Sequence, residues 1–104
     1  GIIVTSYLDI KSNLDEQALK DLYADYFKES PFVLISDTSP STVEVRGTNR
    51  CIIKPIRDKR TGKVLIISVI DNLMKGQSGN AVQNANIRLG FEETAGLDIT
   101  PFYP

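Results

Sequence analysis

The stretch Arg50-Cys51-Ile52-Ile53-Lys54-Pro55-Ile56-Arg57, the turn Asp58-Lys59-Arg60-Thr61-Gly62 and the run Lys63-Val64-Leu65-Ile66-Ile67-Ser68-Val69-Ile70 decide the fold. Two strand-forming arms flank a polar, glycine-terminated turn, the pattern of a hairpin. The second arm, residues 63–70, is apolar at nearly every position, so a central strand covered on both faces is expected. Pro55 has no N–H for a ladder, which places the first arm, residues 50–57, nearer an edge or a bulge.

Upstream, residues 2–10 alternate, with Ile2, Val4, Leu8 and Ile10 on one face of a further strand. Asp15 is the expected N-cap of the helix that follows, because Leu14 and Leu19 then occupy the two positions of a hydrophobic staple. Ala18, Leu19, Leu22, Tyr23, Tyr26 and Phe27 recur at spacings of three and four, giving an amphipathic helix that Ser30-Pro31 ends. Residues 32–35 read as a short strand, residues 36–42 as a loop, and Val43-Glu44-Val45 as a brief extended piece stopped at Gly47. Beyond the hairpin, a loop through Gly76 and Gly79 leads into a second helix over residues 78–89. The chain closes on Thr100-Pro101-Phe102-Tyr103-Pro104. The order β-α-β-β-β-α implies an α+β domain, a sheet with helices on one face.

A chain of 104 residues is the size of one domain, and 41% apolar with 24% charged residues is globular composition. A net charge of −1 supplies no field for nucleic acid or an anionic membrane. The apolar run Val64 to Ile70 is far short of the ~20 residues that span a bilayer. The sequence has one cysteine, Cys51, so no internal disulfide can form, which fits a cytoplasmic protein. The chain opens at Gly1 directly in a strand-like run, and we expect a segment of a longer protein.

The chemistry available is sparse. With no histidine, the commonest general base and metal ligand are missing, and Cys51 cannot form a Cys–His pair. Cys51 reads as a buried structural thiol, and no ligand set for a metal is present. Glu92-Glu93 reads as a solvated pair. No catalytic residue is expected.

Two stretches stand out. From Asp71 to Asn86 the chain is rich in carboxamides: helical spacing sets Val82, Ala85 and Leu89 on one stripe and Asn80, Gln83, Asn84 and Ile87 on another. Uncharged amides suit a surface where each donor and acceptor meets a defined partner, and the glycine-containing loop leaves backbone N–H groups beside Lys75 for an anion or amide. A capped helix packed on its own sheet explains the same residues. In Val45-Arg46-Gly47-Thr48-Asn49-Arg50, Gly47 suggests a tight turn from which Arg46 and Arg50 could bind a carboxylate or phosphate. Two solvated arginines at the start of a strand are the alternative.

Four blocks together carry a family resemblance: Val45-Arg46-Gly47-Thr48-Asn49; Ser68-Val69-Ile70-Asp71-Asn72-Leu73 with Lys75-Gly76; Gly79-Asn80-Ala81-Val82-Gln83-Asn84; and Gly90-Phe91-Glu92-Glu93-Thr94-Ala95-Gly96-Leu97. In this order they resemble the C-terminal half of the N-acetyl-γ-glutamyl-phosphate reductases. The likeness extends over residues 2–104 and includes Leu22-Tyr23, Pro31-Phe32-Val33 and the closing Tyr103-Pro104. It implies an NADP-dependent reductase of arginine biosynthesis, in which a cysteine attacks an acyl phosphate, a histidine assists, and hydride from NADPH releases N-acetylglutamate 5-semialdehyde.

In that family the nucleophile lies in an earlier Gly-Cys-Tyr-Pro motif, and the histidine and dinucleotide fold also precede the part represented here. Residues 1–104 are therefore expected to be the C-terminal substrate and dimerisation domain, inactive alone, whose partners are the N-terminal half, a second copy and the small-molecule substrate. Cys51 matches a position that is often cysteine but is not the nucleophile. The resemblance sets Lys75, Gly76, Ser78, Gly79 and Asn80 beside the nicotinamide end of NADP. Asn80 stands where this family usually has glutamine; asparagine there is typical of aspartate-semialdehyde dehydrogenases. The Phe91 to Leu97 ending favours the N-acetylglutamyl enzyme. An aspartate-semialdehyde dehydrogenase-like domain and a non-catalytic oligomerisation or small-molecule-binding module are the alternatives. The implied fold is a mixed, largely antiparallel sheet like the C-terminal domain of glyceraldehyde-3-phosphate dehydrogenase.

Overall fold

A computed structural model of the chain describes residues 1–101, so the Tyr103-Pro104 ending lies outside the described residues. It is an α+β domain built on one four-stranded sheet in the order β1-β4-β3-β2. The elements are β1 (Ile2–Leu8), α1 (Glu16–Tyr26), β2 (Val33–Ile35), β3 (Cys51–Arg57), β4 (Val64–Ile70) and α2 (Gly79–Leu89). β4 pairs antiparallel with both β1 and β3, while β2 pairs parallel with β3, so the sheet is mixed and largely antiparallel as expected. Among the described residues no helix is long and apolar enough to cross a membrane.

The hairpin forms as its sequence requires. Asp58 Oδ1 accepts from the Arg60 N–H at 3.0 Å and Asp58 Oδ2 accepts from the Thr61 hydroxyl at 2.9 Å. Gly62, at φ 75°, then turns the chain into β4. β4 is central, and its side chains alternate between two small cores. Val64 and Ile66 join Ile53 and Leu19 beneath α1, whereas Val69 joins Ile52 and Val45 in the other cluster. Asp15 caps α1 by accepting the Ala18 N–H at 2.8 Å, and Leu14 packs on the cluster that contains Leu19. Truncating Leu19, 4% exposed, to alanine would cost about 2–5 kcal/mol.

Pro55 sits in an interior strand, yet its position obeys the edge rule. Cys51 N–H donates to Phe32 O at 2.8 Å and Ile53 O accepts from Ser36 N–H at 2.9 Å, so odd-numbered residues of β3 turn their backbone toward β2. β2 has ended by the level of Pro55, leaving no partner that needs its missing donor. Two residues on, the Arg57 N–H is taken by Glu16 Oε1 at 3.1 Å. The open stretch of β3 is thus blunted by a proline and a side-chain acceptor.

Two expectations change. The segment read as extended at Val43-Glu44-Val45 lies in a 3-10 helix, Thr42–Val45, closed by a capping box between Ser41 and Glu44. The Ser-x-x-Glu signature was visible in the sequence, and it outweighs the strand preference of two valines. The residues read as a loop before α2 form a π-helical turn, Met74–Ser78, that runs straight into α2. α2 itself packs chiefly on that turn, while α1 covers β2 and β3.

Candidate functional site

All four sequence blocks meet in one polar cluster beside the starts of β3 and α2. Val45, fully buried against Ile52 and Val69, anchors the first block. Gly47 then turns the chain at φ 71° and donates its N–H to Asp71 Oδ1 at 3.3 Å. The buried Thr48 hydroxyl donates to Val45 O at 2.7 Å and accepts the Arg50 N–H at 3.2 Å. These bonds fix the turn and send Asn49, also fully buried, toward α2, where its Nδ2 donates to Gln83 Oε1 at 2.9 Å.

Asp71, just past β4, is the cap of the second block. Besides Gly47, its carboxylate accepts the N–H groups of Leu73 at 3.1 Å and Met74 at 3.0 Å. Burial alone would raise its pKa, but the N–H groups of Gly47, Met74 and Leu73 outweigh that and hold the carboxyl below the usual aspartate range. The π turn continues from this cap: Gly76 N–H reaches Asp71 O at 3.0 Å, Ser78 N–H reaches Leu73 O at 2.9 Å, and Gly79 N–H reaches Met74 O. Of the backbone donors expected to stand free beside Lys75, those of Gly76, Ser78 and Gly79 are therefore taken within the helix, and Asp71 already occupies its positive end.

The inward face of α2 is polar. Gly79, Gln83 and Asn86 face the fold, at spacings of four and three. Gln83 Oε1 accepts from Lys75 Nζ at 2.6 Å as well as from Asn49, and Gln83 Nε2 donates to Glu93 Oε2 at 2.7 Å. Asn86, 8% exposed, donates to Glu93 O at 3.2 Å and Ala95 O at 3.0 Å. Glu93 is thus a member of the cluster rather than half of a solvated pair. Val82, Ala85 and Leu89 are exposed instead, so the apolar stripe points outward and the amide stripe is divided, Gln83 inward with Asn80, Asn84 and Ile87 outward.

Of the residues singled out in the sequence, Lys75 is in the cluster, with its ammonium 5.8 Å from the centre of the Phe32 ring. Gly79 is buried against Asn49 and Met74. Gly76 and Ser78 lie exposed on the adjoining turn, and Asn80 is exposed at the start of α2. Arg50 lines a cavity of about 220 Å³ with Phe32, Thr94, Leu97 and Asp98, so Phe32 links it to Lys75. Arg46 is exposed at the end of the 3-10 helix. Cys51 is half-buried rather than the buried thiol expected, and burial raises its pKa, only partly offset by the Lys75 charge. Among the described residues no grouping suits a metal ion. The sequence places Asn49, Asp71 and Gln83 in the two unusual stretches and Glu93 in a solvated pair but assigns none of them to the site. The bonds that join them, Gly47 to Asp71, Asn49 to Gln83 and Gln83 to Glu93, span 24, 34 and 10 residues.

The semialdehyde dehydrogenase dimerisation domain matches residues 1–72, more than half of the chain. The chain belongs to that family. Beyond this semialdehyde dehydrogenase dimerisation domain, similarity continues along the whole sequence. The N-acetyl-gamma-glutamyl-phosphate reductase of Bacillus cereus (strain AH187) is 47% identical over 99% of the chain. That of Pelobacter propionicus is 47% identical over 100% of it, and that of a Thermoanaerobacter species (strain X514) 44%. The chain spans 30 to 31% of the length of these relatives and matches their C-terminal part.

Proposed function

We propose that this domain forms one wall of the active-site cleft of an N-acetyl-γ-glutamyl-phosphate reductase, an NADP-dependent enzyme that reduces the acyl phosphate to N-acetylglutamate 5-semialdehyde. The observation that carries the proposal is the 47% identity to reductases of that name along 99% of the chain. In this reading Lys75, Gly76, Ser78, Gly79 and Asn80 border the nicotinamide, while Arg46 and Arg50 serve the substrate's anionic groups. The remaining part of the enzyme supplies the nucleophile, the base and most of the cofactor site, and a second copy docks on this domain.

The residues fit a supporting role toward the cofactor. The N–H groups of Leu73, Met74, Gly76, Ser78 and Gly79 are committed to the Asp71, Leu73 and Met74 carbonyls or to the Asp71 carboxylate. What this chain can offer a nicotinamide dinucleotide is the Lys75 ammonium and the exposed Asn80 amide. NADP supplies the hydride when bound; these residues would orient its reactive end.

The test is reconstitution. Residues 1–104 alone should neither form a thioester nor oxidise NADPH with the acyl phosphate, and the complete enzyme should do both. In the complete enzyme, Asn80→Ala should raise the KM for NADPH. Turnover by the isolated domain, or a complete enzyme that prefers aspartyl phosphate, would defeat the proposal.

A further inference from the structure

The polar cluster contains an arrangement that its ion-pairing groups alone would not adopt. Lys75 and Glu93 are opposite charges on two sides of one amide, and neither makes a salt bridge among the described residues. Instead Gln83 stands between them, its Oε1 on the ammonium and its Nε2 on the carboxylate. The amide cannot turn over. Its Oε1 also accepts from the buried Asn49 Nδ2, but Asn49 Oδ1 has no partner among the described residues, so Asn49 alone does not fix the orientation. The two charges do: a flipped Gln83 would set Nε2 against the Lys75 ammonium and Oε1 against the Glu93 carboxylate.

We infer that Gln83 is a positioning residue: it keeps the Lys75 ammonium from collapsing onto Glu93 and leaves it open to an anionic group of the ligand. Of three ammonium donors, the one directed at Gln83 is used among the described residues, and Phe32 offers a ring face without an acceptor. A lysine held by a neutral oxygen retains its full charge for a phosphate or carboxylate, whereas one paired to a carboxylate must first break that pair. The ligand class is a small anion on the cleft side of Lys75, either the phosphate of the acyl substrate or an anionic group of the nicotinamide cofactor. This inference deepens the proposed function and rests on it for the identity of the ligand.

The experiment uses the full-length enzyme. Replacing the amide by Gln83→Leu should let Lys75 pair with Glu93. The acylation rate of Lys75 by trace acetic anhydride, read by peptide mass spectrometry, should then fall by about threefold to tenfold. The KM for NADPH or for the acyl phosphate should rise more than kcat falls, and whichever moves identifies the source of the anion. Adding Glu93→Gln should restore both labelling and KM, which a merely structural Gln83 would not allow. If Gln83→Leu proves insoluble, Gln83→Glu keeps the acceptor for Asn49 and should suppress Lys75 labelling directly. Unchanged labelling in the variant obtained, or no rescue of Gln83→Leu by Glu93→Gln, overturns the inference. Labelling that falls and is rescued while both KM values stay at wild type supports the spacer but removes Lys75 from the cleft.

Discussion

The buried side-chain oxygen of Asn49 rests against the Cα of Gly79, at the first residue of α2. A methyl group on Gly79 would overlap that oxygen and lie 2.8 Å from the backbone carbon and oxygen of Met74. Neither obstacle is the loose end of a flexible side chain. Gly79→Ala should therefore destabilise the protein by about 1–3 kcal/mol, although alanine is the better helix former by about 1 kcal/mol. Chemical denaturation would show a lowered midpoint; a raised one would mean that Asn49 and Met74 do not confine this glycine.

Asp71 gives the fold an acid-sensitive point. Its folded-state pKa lies below the ordinary value, so its contribution is fully present above the unfolded pKa and is lost as pH falls through the folded one. Both Asp71 oxygens accept N–H groups, and Asp71→Asn turns one of them into a donor, so it should lower stability at pH 7 by about 1 kcal/mol. The gap between parent and variant should narrow as the pH drops below about 4. A gap that does not depend on pH would contradict this assignment.

Asn86 holds the segment after α2 in place through two carbonyls, those of Glu93 and Ala95. Asn86→Leu keeps the branched heavy-atom skeleton, with bulkier methyl groups, but leaves both acceptors without their donor, at a cost of about 1–3 kcal/mol. Hydrogen exchange should rise first in residues 91–97, where Leu97 is a buried anchor. Protection that stays at parental levels there would show that the amide is dispensable.

Cys51 should behave as a structural thiol. Since burial raises its pKa, the reactive thiolate is scarcer at pH 8 than for a free cysteine, and alkylation by iodoacetamide should be slow until the protein is unfolded. Labelling at the free-thiol rate in the native state would refute this. Cys51→Ser should leave any catalytic activity of the complete enzyme in place, because the proposed chemistry does not use this sulfur.

The sequence alone determined the elements whose signals are local. The hairpin from Cys51 to Ile70 follows from two apolar arms and an Asp-to-Gly turn. The start of α1 follows from Asp15 with its Leu14 and Leu19 staple, and the central place of β4 from a run that is apolar at all but Ser68. Each of these is decided by residues a few positions apart. The tertiary structure alone decided how α2 sits. Periodicity set Val82 and Leu89 on the helix's own apolar stripe, but the fold turns Gly79, Gln83 and Asn86 inward. It can do so because Asn49, 34 residues back, and Glu93 and Ala95, 7 to 10 residues on, supply partners for the Gln83 and Asn86 amides. Burying an amide is costly unless it is hydrogen-bonded, and helical periodicity does not record where such partners will come from. The π turn has the same origin. Its register follows from Asp71 capping Leu73 and Met74 while accepting from Gly47.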